Sequence, residues 1–238
     1  MSLTALDTYL APLKPYMEDS KVSEISINAP KEIWVEIAGE MTRHAVPELD
    51  LEHLKSLARL VAQFSEQKIS EESPLLSATL PSGYRIQVVF PPACEANMIA
   101  MSIRKQTIVN LDLEQYEAIG AFQNTVVRKQ DNPVDKKLRE LLNAGNVKDF
   151  IQQAVLAKKN IIISGGTSTG KTTFFNATLK VIPSSERIIT CEDAREIMIP
   201  HLPNRVHLIA SKGGQGRAQV SMQDLIEASL RLRPDRLM

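Results

Sequence analysis

Residues Gly165-Gly166-Thr167-Ser168-Thr169-Gly170-Lys171-Thr172 fit the pattern G-x-x-x-x-G-K-[ST], a spacing that suits chemistry on a polyphosphate. Small residues let backbone N–H groups wrap around phosphate oxygens, and a following helix directs its positive end at the same point. Lys171 is then placed to reach the β- and γ-phosphates, and the Thr172 hydroxyl to hold Mg²⁺. The bland alternative is a Gly/Thr-rich turn ending in a surface lysine. The flanks decide against it. Asn160–Ser164 reads as a buried strand and Thr172–Lys180 as a helix, the setting this loop needs. Residues Gly165 to Thr172 are therefore expected to bind a nucleoside triphosphate.

Hydrolysis needs more than a cradle: a group that orients or activates water, and cations that offset charge on the γ-phosphate. In a parallel sheet such groups lie at the carboxyl ends of strands. Arg187–Glu192 reads as a strand ending in Glu192-Asp193. Glu192 is the candidate base or water-positioning residue. Asp193 is the candidate for supporting Mg²⁺ or fixing its neighbours. Capping of the following segment by both carboxylates is the alternative. Arg85 and Arg104 fall in or at the end of expected strands, where an arginine commonly just lies on the wet face of a half-exposed sheet. His44, His53, His201 and His207 share no metal-ligand spacing, which favours surface or hydrogen-bonding roles.

These residues are expected on two domains. An α+β domain over 1–130 carries an antiparallel sheet. It opens with Leu3, Leu6, Leu10 and Leu13 at helical spacing, closed by Pro12 and Pro15. Strands follow at Val22–Ile27 and Ile33–Ile37, with a hairpin turn at Ala38-Gly39-Glu40. An amphipathic helix carries Leu51, Leu54, Leu57, Ala58, Val61 and Phe64 on one face, and two more strands are read at Tyr84–Phe90 and Ile99–Arg104. A connection over 131–146 contains a helix near Asp135–Asn143. From Val147 the order helix, strand, loop, helix, strand implies an α/β P-loop domain with a parallel sheet over 147–238. Ser221 and Asp224 form a capping-box pattern for a helix with Leu225 and Ile226 on one face. Ser211–Gly216 reads as a mobile loop. Arg236-Leu237-Met238 reads as the start of a further strand, so the domain is expected to be incomplete at its C-terminus.

With 238 residues the chain is long enough for two ordinary domains, and 28 acidic residues balance 28 basic ones,. That balance, without aromatic–basic interleaving, argues against a DNA translocase, and direct nucleic-acid binding is not expected. Cys94 and Cys191 fit neither a disulfide framework nor a metal spacing and suit a reducing compartment. No stretch has the pattern of a signal peptide or the length of a membrane span, so membrane association is expected to be peripheral, through partners.

The order of several motifs resembles the traffic ATPases of type IV secretion systems, the family of the VirB system's eleventh component, grouped with the type II secretion and type IV pilus motors. These are Leu80-Pro81-Ser82-Gly83-Tyr84-Arg85, Ser102-Ile103-Arg104, Gly165–Thr173, Glu186–Glu196, Asn204–Leu208 and Leu230-Arg231-Leu232-Arg233-Pro234-Asp235-Arg236. The resemblance implies a homo-hexameric ATPase at the cytoplasmic face of the bacterial inner membrane, working with inner-membrane components of a secretion channel. It implies a RecA-like P-loop domain with ATP as substrate and Mg²⁺ as cofactor. Arg85 and Arg104 match family arginines that reach the phosphates, Glu192 matches the family's catalytic glutamate with Asp193 beside it, and Arg195 is a weaker candidate. The chain departs from the pattern at Ser168, where the family usually has glycine and its access to positive φ. It also lacks the Walker B glutamate and the histidine box that follow in the family. A catalytically impaired relative serving as a nucleotide-binding or assembly module is the competing expectation.

Overall fold

The computed structural model describes residues 3–105, 111–123, 125, 132–211 and 216–238. They fall into two compact units, one made of Met1–Gln106 with Pro183–Met238, the other of Thr107–Ile182. The division thus differs from the expected domains over 1–130 and 147–238.

The first unit opens with α1 (Leu3–Leu10), a 3₁₀ turn over Ala11–Leu13 and α2 (Lys14–Glu18). Pro12 and Pro15 lie in the first turns of the two latter elements, where a missing N–H costs nothing, so they restart the helix rather than close it. Strands β1 (Val22–Ile27), β2 (Glu32–Ile37) and β3 (Glu40–Ala45) lead to α3 (Leu51–Phe64), then β4 (Leu75–Thr79), β5 (Arg85–Val89) and β6 (Ala100–Arg104). Asp50 caps α3 by accepting the His53 N–H at 2.8 Å,. The strands form one antiparallel sheet in the order β3-β2-β1-β6-β5-β4.

Alternation along the strands gives the sheet two different faces. Ile25, Ile27, Ile33, Val35, Ile86, Val88, Met101 and Ile103 join the core with Leu6, Leu10 and the buried face of α3. The other face carries Glu24, Ser26, Gln87 and Ser102, all buried nonetheless. That face is not the wet face its polar residues suggest, because the returning C-terminal segment packs on it.

In the second unit come α4 (Leu113–Ala118), α5 (Pro133–Asn143), α6 (Val147–Leu156) and α7 (Lys171–Leu179). Helix α5 has Pro in its first turn and Asn132 as N-cap, and Lys159 pairs with Asp135 across its base. The strand expected at Asn160–Ser164 is corrected: among the described residues this segment has no ladder partner, and Ile162 is 94% exposed. An apolar β-branched run has the composition of a central strand, but it becomes one only where neighbours bond its backbone.

The chain returns to the first unit through β7 (Ile188–Glu192), β8 (Arg205–Ile209), α8 (Met222–Leu230) and β9 (Arg236–Leu237). These strands are parallel, in the order β8-β7-β9, as the alternation of elements implies. The Ser221–Asp224 capping box forms as expected. The mobile loop expected at Ser211–Gly216 lies mostly outside the described residues, as does the stretch 126–131. Ile189, Val206, Leu208, Leu225 and Leu232 pack on Val89 and Ala100 of the first sheet and on Cys94 in the connection between β5 and β6. Burial pushes the Cys94 thiol up to about 12, so it acts there as a small hydrophobe.

Arg187 ties the two parts of this unit together. It is fully buried and donates from Nε to the Leu232 carbonyl at 2.8 Å and from Nη1 to Asn28 at 2.7 Å and Asn204 at 2.5 Å. Burial lowers its pKa to about 10, against the opposing pull of Glu24. Arg233 adds an ion pair to Glu36.

Candidate functional site

The loop Gly165–Gly170 leads into α7 through Gly170, whose φ of 84° and ψ of 16° are left-handed. Glycine adopts that conformation without Cβ strain, and having no side chain it leaves the helix N-terminus uncapped. Ser168 also has a positive φ, 59°, at a position where a side chain costs about 1 kcal/mol. The loop therefore keeps the backbone path that glycine usually supplies. Thr169 Oγ1 donates to the Gly166 carbonyl at 2.9 Å, and the Lys171 ammonium donates to the same oxygen. Lys171 thus folds over the loop, and the backbone from Ser164 to Gly170 is exposed. Beside the loop is a cleft of about 740 Å³ whose walls include Phe150, Ile161, Ile162 and Phe174, with Gly165, Gly170 and Lys171 also lining it.

Among the described residues, no group of three or more His, Cys, Asp or Glu side chains could hold a metal ion. The Thr172 hydroxyl, in the first turn of α7, fits a Mg²⁺ ion that takes its other ligands from phosphates and water.

Glu192 ends β7 in the first unit and is 6% exposed. One carboxylate oxygen accepts the backbone N–H groups of Glu196 at 2.7 Å and Ile197 at 2.8 Å. The other accepts the Thr190 hydroxyl at 2.7 Å and lies 3.3 Å from His207 Nδ1 and 3.6 Å from Arg195 Nη1. Burial alone would raise its pKa, but hydrogen bonds from His207, Ile197, Glu196 and Thr190 outweigh burial and hold it at about 2,. Arg195 Nη2 lies 2.7 Å from His207 Nε2. A guanidinium only donates, so Nε2 is the acceptor and Nδ1 carries the proton. Arg195 also bonds Glu95 at 3.1 Å. Asp193, next in sequence, is exposed. The capping alternative thus describes part of what Glu192 does, though in a buried setting.

Arg85 and Arg104 are exposed and directly opposed in the register of β5 and β6. The structure places them with Glu192 and Asp193 in the first unit, and Gly165 to Thr173 in the second.

The family described as type II/IV secretion system protein matches residues 7–238. The chain belongs to that family. As a type II/IV secretion system protein it is similar to the type IV secretion system protein VirB11 of Brucella suis biovar 1, 38% identical over 98% of this chain and 66% of that protein. VirB11 of Bartonella quintana is 42% identical over 97% of this chain and 68% of its own length. The chain therefore spans about two thirds of these relatives, slightly less for the Brucella protein. The crystal structure of the VirB11 ATPase from the Brucella suis type IV secretion system, in complex with sulphate, superposes with a TM-score of 0.91 at 37% identity, covering 98% of this chain and 70% of that one.

Three residues of this family member gain parts that spacing did not reveal. Thr190, two positions before Glu192 on the same strand face, could have been found from the strand period. His207 could not, since only the parallel register of β7 and β8 sets it opposite Thr190. Arg187, expected only as the first residue of a strand, is fully buried by the fold.

Proposed function

We propose that this chain binds MgATP through Gly165 to Thr173 and hydrolyses it as the motor subunit of a type IV secretion system. In this reading the backbone of Gly165–Gly170 and the N-terminus of α7 hold the phosphates, Lys171 releases the Gly166 carbonyl to take the β- and γ-phosphates, and Thr172 holds Mg²⁺. Arg85 and Arg104 serve as cations for the terminal phosphates, a role supported by their match to the family's arginines. Glu192 enters as a fixed negative charge or water-orienting group. Its low proton affinity makes it a weak proton acceptor, and Asp193, exposed beside it, is the freer carboxylate. A RecA-like core around the loop, a homo-hexameric ring, and work on inner-membrane channel components from the cytoplasmic side belong to the same proposal. No described helix is long and apolar enough to cross a membrane.

The observation that carries the reading is the exposed loop with left-handed Gly170 at the uncapped start of α7 and Lys171 folded over it. Steady-state phosphate release by the chain and by Lys171→Ala tests it. A rate well above that of the variant is expected, and equal rates overturn the motor assignment.

A second reading has its own observation. Asn160–Ser164, which leads into the loop, lies exposed without a ladder partner among the described residues. A loop on so loose a support fits a nucleotide-binding or assembly module with impaired hydrolysis. Equilibrium MgATP binding together with the mass in solution separates the two: binding without turnover supports the module.

A further inference from the structure

Within the first unit, the polar face of the antiparallel sheet meets the returning C-terminal segment through donors that protein groups leave unsatisfied. Ser26 Oγ, Trp34 Nε1, Arg187 Nη2 and Asn204 Nδ2 are buried and have no hydrogen-bond partner among the described residues. Buried polar groups in folded proteins are bonded with few exceptions, and each exception calls for a physical reason.

Their positions are related. Ser26 and Trp34 are directly opposed in the register of β1 and β2. Both point away from the apolar core that takes Ile25, Ile27, Ile33 and Val35,, and opposed side chains on one face have Cβ atoms about 5 Å apart. Two residues after Ser26, Asn28 accepts from Arg187 Nη1 at 2.7 Å and donates to Asn204 Oδ1 at 2.9 Å. Arg187 Nη1 also reaches Asn204 Oδ1 at 2.5 Å. The unpartnered nitrogens of Arg187 and Asn204 thus belong to groups already in contact.

The chemistry of the four atoms says what completes them. Indole, guanidinium and amide nitrogens only donate, and a serine hydroxyl turns its hydrogen toward the same acceptor. The Arg187 side chain bonds only neutral oxygens, those of Leu232, Asn28 and Asn204. The carboxylates nearby have other partners. Glu24 accepts the Ser102 hydroxyl, Glu36 pairs with Arg233, and Asp235 accepts the Arg187 backbone N–H and lies 3.3 Å from Arg233. A buried cation without a hydrogen-bonded carboxylate is costly, and a small anion offsets that cost. Asn28 also helps line a hollow of about 80 Å³ beside the cluster. That is room on the scale of a monatomic ion or two to three waters at about 30 Å³ each.

We propose that Arg187, Asn204, Ser26 and Trp34 form a binding site for one small monovalent anion of the halide class, seated between the antiparallel sheet and the segment that returns to it. The ion ties β1 and β2 to the residues that open β7 and β8. It stabilises the first unit and takes no part in nucleotide chemistry.

Trp34 is the chain's one tryptophan and is 6% exposed, so its fluorescence reports on the site. Bromide is the probe, titrated into the 238-residue chain at constant ionic strength made up with potassium gluconate. Collisional quenching of a buried indole is weak and rises in proportion to bromide, whereas a bound ion quenches along a saturating curve. Saturable quenching that chloride reverses is expected. Ser26→Ala is expected to weaken bromide about tenfold, the scale of one lost charge-assisted hydrogen bond. Asn204→Asp sets a carboxylate beside Arg187 and is expected to abolish the saturable phase. Chloride in place of gluconate should raise the melting midpoint of the parent chain but not that of Asn204→Asp; if Asn204→Asp does not fold, Ser26→Ala decides. Non-saturating quenching that is the same in the parent and in Ser26→Ala overturns the proposal. So does a bromide-soaked crystal whose anomalous map shows no ion against Arg187 Nη2, the result expected if water satisfies these donors.

Discussion

Replacing Glu192 by Gln gives the sharpest check on how the end of β7 is held. The carboxylate accepts from Thr190, Glu196 and Ile197 and lies within 3.3 Å of His207 Nδ1. An amide can present only one oxygen to these donors, so its NH₂ group must face at least one of them. The charge itself has a magnitude. The folded pKa is about 2 against an ordinary 4.5, and at about 1.4 kcal/mol per pH unit that gap makes ionised Glu192 worth about 3 kcal/mol. Because the folded pKa is depressed, this stability is fully present above pH 4.5 and is lost as pH falls through about 2. A protonated glutamate resembles glutamine, so the deficit of Glu192→Gln should be about 3 kcal/mol at pH 7, near half of that at pH 3, and small at pH 2. Trp34 is the chain's one tryptophan and is buried in β2 of the same unit, so urea unfolding followed by its fluorescence reports the relevant body. A deficit below about 1 kcal/mol at pH 7, or one that does not shrink as the pH is lowered, would refute the claim that the network holds a charged carboxylate.

Two further outcomes follow from the second unit. A Cβ at Gly165 would lie 2.8 Å from Thr169 Oγ1, displacing the hydroxyl that bonds the Gly166 carbonyl. Gly165→Ala should therefore weaken MgATP about tenfold or more while leaving the Trp34 unfolding midpoint unchanged; equilibrium binding that matches the parent would show the loop tolerates the methyl. Ile162→Gln, at a side chain 94% exposed, should change stability by less than about 0.5 kcal/mol in circular-dichroism melts. A loss of about 2 kcal/mol or more would mean that Ile162 is buried in solution.

Local signals survived translation into structure where they depended on near neighbours. Val22–Ile27 is a strand with the bounds its alternation gives, Leu54, Leu57, Ala58 and Val61 of α3 are buried where their spacing puts them while Leu51 is half-buried and Phe64 exposed, and Ser221 with Asp224 caps α8. The glycine and lysine spacing of the loop is also a local property, and it placed Gly170 at the helix start. Strands β3 and β4 carried no such signal. β3 is a largely exposed edge and β4 a short run with Ser, Ala and Thr, so neither shows apolar alternation.

What the linear order could not supply is pairing across distance. Asn160–Ser164 has the composition of a central strand, yet strandhood is decided by backbone partners that composition does not encode. Arg187 and His207 read as ordinary polar residues, and only the parallel register of β7 and β8 and the packing of Leu232 and Asn28 around them make one a buried tie and the other a support of Glu192. That Arg85 and Arg104 line one hollow with Arg231, more than a hundred residues further on, is likewise a product of tertiary packing. The residue types that the proposed phosphate-binding loop needs are legible in the sequence alone, because they occupy eight consecutive positions. The electrostatic setting of each charged group came from the fold, because burial and opposing charges are properties of what surrounds a residue.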